Sequence, residues 1–166
     1  MARPLPFDPI AEAQRKWEQR WAGARIMAAA TSITRAQQIV LARVEEALRP
    51  WALSFARYEV LVLLSFTRTG ALPMGKIGQR LQVHPTSVTS TVDRLVVQGY
   101  VERAPHPTDR RTVLASITPA GRAAVEEATD AVLASRFGLG ALTEDDLVEL
   151  TRIVQEVRRA AGDFEA

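Results

Sequence analysis

Cysteine is absent from the 166 residues and histidine occurs only twice. The first absence excludes disulfides, thiolate metal ligands, a cysteine nucleophile and thiol-based redox sensing. The second, with no His-x-x-x-His spacing, leaves little from which to build a metal centre. Long apolar runs are missing too. Val60 to Leu64 is among the longest, and nothing of that length spans a bilayer. The first residues carry prolines and polar groups without an apolar core, so they do not read as a signal peptide, and the cytoplasm is the expected location. The usual catalytic signatures are lacking: no Gly-x-Ser-x-Gly, no Gly-x-x-x-x-Gly-Lys and no His-Glu-x-x-His. The paired acids Glu45-Glu46, Glu126-Glu127 and Asp145-Asp146 are sequence neighbours. Adjacent helical side chains diverge by about 100°, so such pairs do not share a proton across a cleft. The sequence therefore predicts no enzyme and no cofactor.

What is present is an ordinary globular balance, 47% hydrophobic and 24% charged, with the charge unevenly placed. Residues 1–73 carry a net +4, residues 74–122 a net +4 and residues 123–166 a net −6. A basic middle ahead of an acidic end suggests one part that faces a polyanion and another that faces elsewhere.

Apolar spacing and breakers divide the chain. Asp8 with Pro9 starts a helix over residues 10–22, with Trp17 and Trp21 four apart on one face. A longer amphipathic helix carries Ile26, Ala30, Ile33, Val40, Val44 and Leu48, and ends at Pro50. Ser54 caps a helix to about Thr67. Leu72-Pro73 is a short extended pair, and Met74 to Leu81 is a short helix. A turn at Val83-His84-Pro85 leads to a helix over residues 86–98. Val88, Val92, Leu95 and Val96 form its inner face, while Thr86, Ser87, Ser90 and Arg94, flanked by Thr91, form an outer face with hydroxyls and a guanidinium but little bulk. Gly99 supplies its C-cap. Strands are predicted at Tyr100–Arg103 and Thr112–Ile117, with a loop containing Asp109, Arg110 and Arg111 between them. Thr118-Pro119 opens a helix to about Arg136, and Thr143 caps a final helix with the apolar stripe Leu147, Leu150, Val154, Val157 and Ala161.

A short helix, a tight turn, a polar-faced helix and an arginine-tipped hairpin make a winged helix-turn-helix. Small hydroxyl residues let a helix backbone approach the major groove closely, and a narrow minor groove attracts an inserted arginine. The fold class expected is mainly α with a small β-hairpin: N-terminal helices over 1–50, the winged helix-turn-helix over 51–119 and C-terminal helices over 120–166. A winged helix used only for protein contacts is the alternative at this point.

The runs Thr91-Val92-Asp93-Arg94-Leu95, Gly99-Tyr100-Val101, Asp109-Arg110-Arg111 and Ile117-Thr118-Pro119-Ala120-Gly121-Arg122 together resemble the MarR family of bacterial transcription regulators, over roughly residues 34–160. The resemblance implies a homodimer whose terminal helices interlock, a palindromic double-stranded DNA operator, repression of nearby genes, and release by a small molecule, often a phenolic or aromatic carboxylate. By the family pattern Arg111 enters the minor groove, Asp109 holds it by an ion pair and Arg110 contacts the backbone. The Trp-bearing first helix resembles the urate-responsive branch, which uses an acid after the first proline break and an arginine in the recognition helix. Glu59 and Thr91 stand at those places, so that arginine is absent. For an effector, Arg57 and Tyr58 are the candidates for a carboxylate and ring contact, with Trp17 or Trp21 closing the site.

Overall fold

The structure, a computed structural model, describes residues 4–109 and 111–165. Its elements in chain order are α1 (Pro9–Glu18), α2 (Ala24–Leu48), α3 (Phe55–Ser65), β1 (Ala71–Pro73), α4 (Met74–Leu81), α5 (Pro85–Val97), β2 (Val101–Pro105), β3 (Val113–Ile117), α6 (Pro119–Ala134) and α7 (Glu144–Ala160). The fold is mainly helical with a small antiparallel sheet, as the sequence predicts.

Local chemistry sets most boundaries. Asp8, Ser54, Thr118 and Thr143 each accept a backbone N–H in the first turn of the helix that follows. At Thr143 the bond is reciprocal, because Asp146 also accepts from the Thr143 backbone. Gly99, at φ 74°, ends α5: Tyr100 N–H donates to Leu95 O at 3.0 Å and Gly99 N–H to Val96 O at 2.9 Å. This left-handed stop turns the chain directly into β2.

Three expectations are corrected. The first helix ends at Glu18 rather than residue 22, because Arg20 and Trp21 both donate to Trp17 O and close a turn before Gly23. The helix from Pro119 ends at Ala134, and a 3-10 turn over Arg136–Gly138 follows, with Arg136 and Phe137 at positive φ. The extended pair Leu72-Pro73 belongs to a strand, β1, which joins the hairpin on its far side in the order β1-β3-β2. Strand β3 is thus central, with Ala115 facing both Leu72 and Arg103.

The core lies where α2, α3, α5 and α6 converge on the sheet. Leu48, Leu61, Leu64, Ile77, Val92, Leu95 and Val101 are buried there. Burying such side chains contributes about 1.5–3 kcal/mol each, which makes this cluster the main source of stability. By contrast α7 has no buried residue. Past the buried Ala24, the N-terminal half of α2 is also open, with Ile26 77% and Ile33 49% exposed. No helix among the described residues is long and apolar enough to cross a membrane.

Candidate nucleic-acid interface

Helix α5 is capped at its start by His84, whose Nδ1 accepts the Thr86 N–H at 3.3 Å, with Pro85 in the first turn. Val88, Val92 and Leu95 are buried. Val96, predicted to lie inward with them, is instead 38% exposed, and Val97 is 88% exposed. The buried inner face ends at Leu95, and beyond it the half-buried Gln98 takes up the contact with Arg57 and the Trp51 and Ala52 carbonyls. The outer face carries Thr86, Ser87, Ser90 and Arg94 in the open, with Thr91 half-buried beside them. No side-chain hydrogen bond occupies Ser87, Ser90 or Arg94 among the described residues, so their polar atoms are free for an external partner.

The wing approaches from the side. Beyond the β2–β3 ladder, His106 N–H donates to Thr112 O at 2.9 Å and Thr112 N–H to Asp109 O at 3.0 Å. The Asp109 carboxylate accepts the Arg111 N–H at 3.0 Å and the Thr112 hydroxyl at 2.6 Å. These bonds, led by that from Thr112, hold its carboxyl below the usual aspartate range. The expected ion pair between Asp109 and the Arg111 guanidinium is not formed. Both carboxylate oxygens serve the turn, so Asp109 fixes the Arg111 backbone and leaves its side chain free. Arg110 lies outside the described residues.

A second device escapes sequence reading. Arg103 on β2 pairs with Asp93 on α5 at 2.6 Å and donates to Thr89 O at 3.1 Å. It ties the wing to the polar-faced helix. Met74, Lys76, Gln79, Thr89, Arg103 and Arg111 share the walls of one concavity of about 660 Å³ between α4, α5 and the wing. Its charge is mainly positive, Asp109 being the acid on its lining. Lys76 and Arg103 carry only a faint sequence signal, as lone cations on a short helix and a strand.

The residues expected to gather round an effector are not brought together. Trp17 and Trp21 pack with their rings tilted by 59° and 4.9 Å between centroids, and Trp17 Nε1 donates to Ala22 O at 2.9 Å. They staple the end of α1. Arg57 donates to Gln98 at 3.1 Å and to Ser54 at 3.3 Å, so its guanidinium serves packing between α3 and α5. Tyr58 is buried, and its hydroxyl shares a 3.0 Å hydrogen bond with Thr129 on α6. Of the four, only Tyr58 borders the cavity of about 800 Å³ that opens between α3 and α6. Phe55, Val62, Phe66 and Phe137 make its apolar wall, and Glu59, Arg122, Glu126 and Asp130 its charged groups. Glu59 lines it whereas Thr91 does not. Burial pushes the Glu59 carboxyl above the usual glutamate range.

The family model described as "MarR family" matches residues 53–113. The chain is similar to a MarR family transcriptional regulator from Streptomyces coelicolor, with 52% identity and a TM-score of 0.80, covering 87% of this chain and 100% of that one. It is similar to a mutant of MarR from Escherichia coli solved in complex with operator DNA, with 27% identity and a TM-score of 0.71 over 80% of this chain and 95% of that one. It is 32% identical over 108 residues to the HTH-type transcriptional repressor MdtR of Bacillus subtilis, covering 62% of this chain and 67% of MdtR.

Proposed function

The chain belongs to the MarR family of transcription regulators, proteins that bind DNA and are not enzymes, and from that premise we propose that it is a repressor acting as a homodimer on a palindromic operator. The observation that carries this reading is the concavity that wing-tip Arg111 shares with Thr89 of α5, beside the open polar side of that helix and braced by Asp109 and by the Arg103–Asp93 pair. In this reading Ser87, Ser90 and Arg94 reach the major groove, Thr86, Thr91 and Lys76 contact phosphates, and Arg111 enters the minor groove with Arg110 on the backbone. The E. coli relative bound to operator DNA supports the assignment. The homodimer rests on the apolar faces of α2 and α7, where Ile33, Leu150, Ile153 and Val157 lie exposed on the protomer.

The cavity between α3 and α6 is the proposed effector site, for a ligand with an aromatic or apolar body. It adjoins Leu81 at the end of α4, so a ligand there bears on the recognition unit as well as on the dimer helices. Two recognition helices must match major grooves about 34 Å apart, and a shift of a few ångströms lifts one half-site.

Fluorescence anisotropy on the chain's own upstream DNA tests the reading. Binding is expected to weaken steeply with salt. Arg111→Ala lowers affinity without altering base preference at the groove centre, whereas Ser90→Ala and Arg94→Ala change preference at particular half-site positions by about 1–3 kcal/mol. Absence of duplex binding at low salt refutes the proposal and leaves a protein-contact module. An effector must also bind less tightly to the operator-bound dimer than to the free one, by linkage.

A further inference from the structure

The cavity between α3 and α6 has a charge that its apolar walls do not explain. Three carboxylates line it, Glu59 from α3 and Glu126 and Asp130 from α6, against one cation, Arg122. Glu126 and Asp130 are four residues apart, so they sit on the same face of α6, an arrangement of like charges that destabilises an isolated helix. Among the described residues none of the three takes part in an ion pair or a side-chain hydrogen bond. Arg122 lies one turn before Glu126 without pairing with it, and its guanidinium packs against Gly70 instead. The other nearby cation, Arg57, is held by Gln98 and Ser54 outside the cavity lining. Tyr58 gives its hydroxyl to Thr129. The walls are aromatic as well as aliphatic: Phe55 and Tyr58 lie 6.5 Å apart, and Phe66 and Phe137 also line the space.

We infer that this cavity selects an amphiphilic organic cation, an apolar or aromatic body bearing a protonated amine or a quaternary centre, and rejects an aromatic carboxylate. The inference rests on the reading of the cavity as the effector site and adds its chemical class. Aromatic faces attract cations, and the carboxylates, Glu59 half-buried and Glu126 and Asp130 exposed at the rim, give the cavity mouth a negative potential. A ligand carboxylate brings a fourth negative group to a lining that holds three carboxylates against the single arginine, Arg122. Rejection is therefore built from repulsion as much as selection is from attraction. The raised Glu59 carboxyl fits this state: its anion lacks a partner in the ligand-free protein, and an arriving cation supplies one.

Tetraphenylphosphonium and tetraphenylborate, nearly equal in size and opposite in charge, test the inference by calorimetry on the full chain. The phosphonium is expected to bind at least tenfold more tightly than the borate. Glu59→Gln reduces that preference about threefold, and the triple change Glu59→Gln, Glu126→Gln, Asp130→Asn abolishes it. Glu102→Gln, on the wing, leaves the preference intact and controls for net charge. Thermal melts of every variant confirm that each is folded. Equal or tighter binding of the borate overturns the inference, and so does a preference that survives the triple change in a folded protein. Operator affinity measured with each probe separates the two readings. Selective phosphonium binding that leaves operator affinity unchanged upholds the cavity's selectivity and refutes the effector role.

Discussion

Gly121→Ala is a one-carbon test of how the wing is joined to α6. Gly121 sits in the first turn of α6, where it packs on the end of α5 and the start of β2. A Cβ there overlaps the Tyr100 carbonyl oxygen and comes within 2.9 Å of Ile117 Cγ1. The first obstacle is backbone, so the strand or the helix must move. Three hydrogen bonds hold that junction: Thr118 N–H to Tyr100 O at 3.0 Å, Thr118 Oγ1 to Gly99 O at 2.7 Å, and Gly121 N–H to Thr118 Oγ1 at 3.0 Å. Each is worth about 1 kcal/mol net, so their distortion costs up to ~3 kcal/mol. Overpacking at a rigid site costs about 1–3 kcal/mol by an independent route. Replacing glycine with alanine in a helix returns at most about 1 kcal/mol. The expected outcome is a loss of about 2 kcal/mol, read as a fall in Tm of roughly 4–8 °C for a chain of this size. Melts are compared at one protein concentration, because the Tm of the proposed homodimer would depend on it. Gly75→Ala is the matched control: nothing lies within 4 Å of its Cβ, so helix propensity alone acts and Tm holds or rises. A Gly121→Ala protein that melts with or above the parent refutes the packing described here.

Three other outcomes are expected. Asp93→Asn leaves stability within about 1 kcal/mol, since the Arg103 pair is largely exposed, yet operator affinity falls about tenfold, equivalent to ~1.4 kcal/mol, because the wing loses its tie to α5; anisotropy showing parental affinity contradicts this. Glu59 keeps its proton in the fold at pH values where the unfolded chain has released it. Its contribution is therefore full below about 4.5 and declines as pH rises through the elevated folded value, so Glu59→Gln matches the parent at pH 4 and is more stable at pH 7 by denaturant titration. Ile153→Glu places a carboxylate on the open apolar stripe of α7 and is expected to raise the dimer dissociation constant at least a hundredfold in sedimentation, each lost apolar side chain contributing about 1.5–3 kcal/mol.

How much of this was legible in the sequence varies by the range of the interaction. Met74–Leu81 is predicted to the residue, because the Pro73 before it and the periodic Ile77 and Leu81 within it are local signals. The caps at Asp8, Ser54, Thr118 and Thr143, and the stop at Gly99, are also short-range chemistry, and they appear where the residues predict. The polar face of α5 follows from period alone. The early ends of the first helix and of α6 are less legible, since turns closed by backbone bonds leave little mark on side-chain type.

The candidate sites divide in the same way. Sequence determined that Thr86, Ser87, Ser90 and Arg94 share one exposed helix face, and that Arg111 stands on a hairpin tip. Only the tertiary structure decided that Asp109 grips the Arg111 backbone rather than its guanidinium, that Arg103 crosses from the wing to Asp93, and that Arg57 is consumed by Gln98, 41 residues away. It also decided that Glu59, Glu126 and Asp130, drawn from two helices far apart in the chain, surround one cavity. Periodicity fixes the direction of a side chain about its own helix axis. It carries no information on which helix lies opposite, and a cation or carboxylate finds its partner only when packing brings two such faces together.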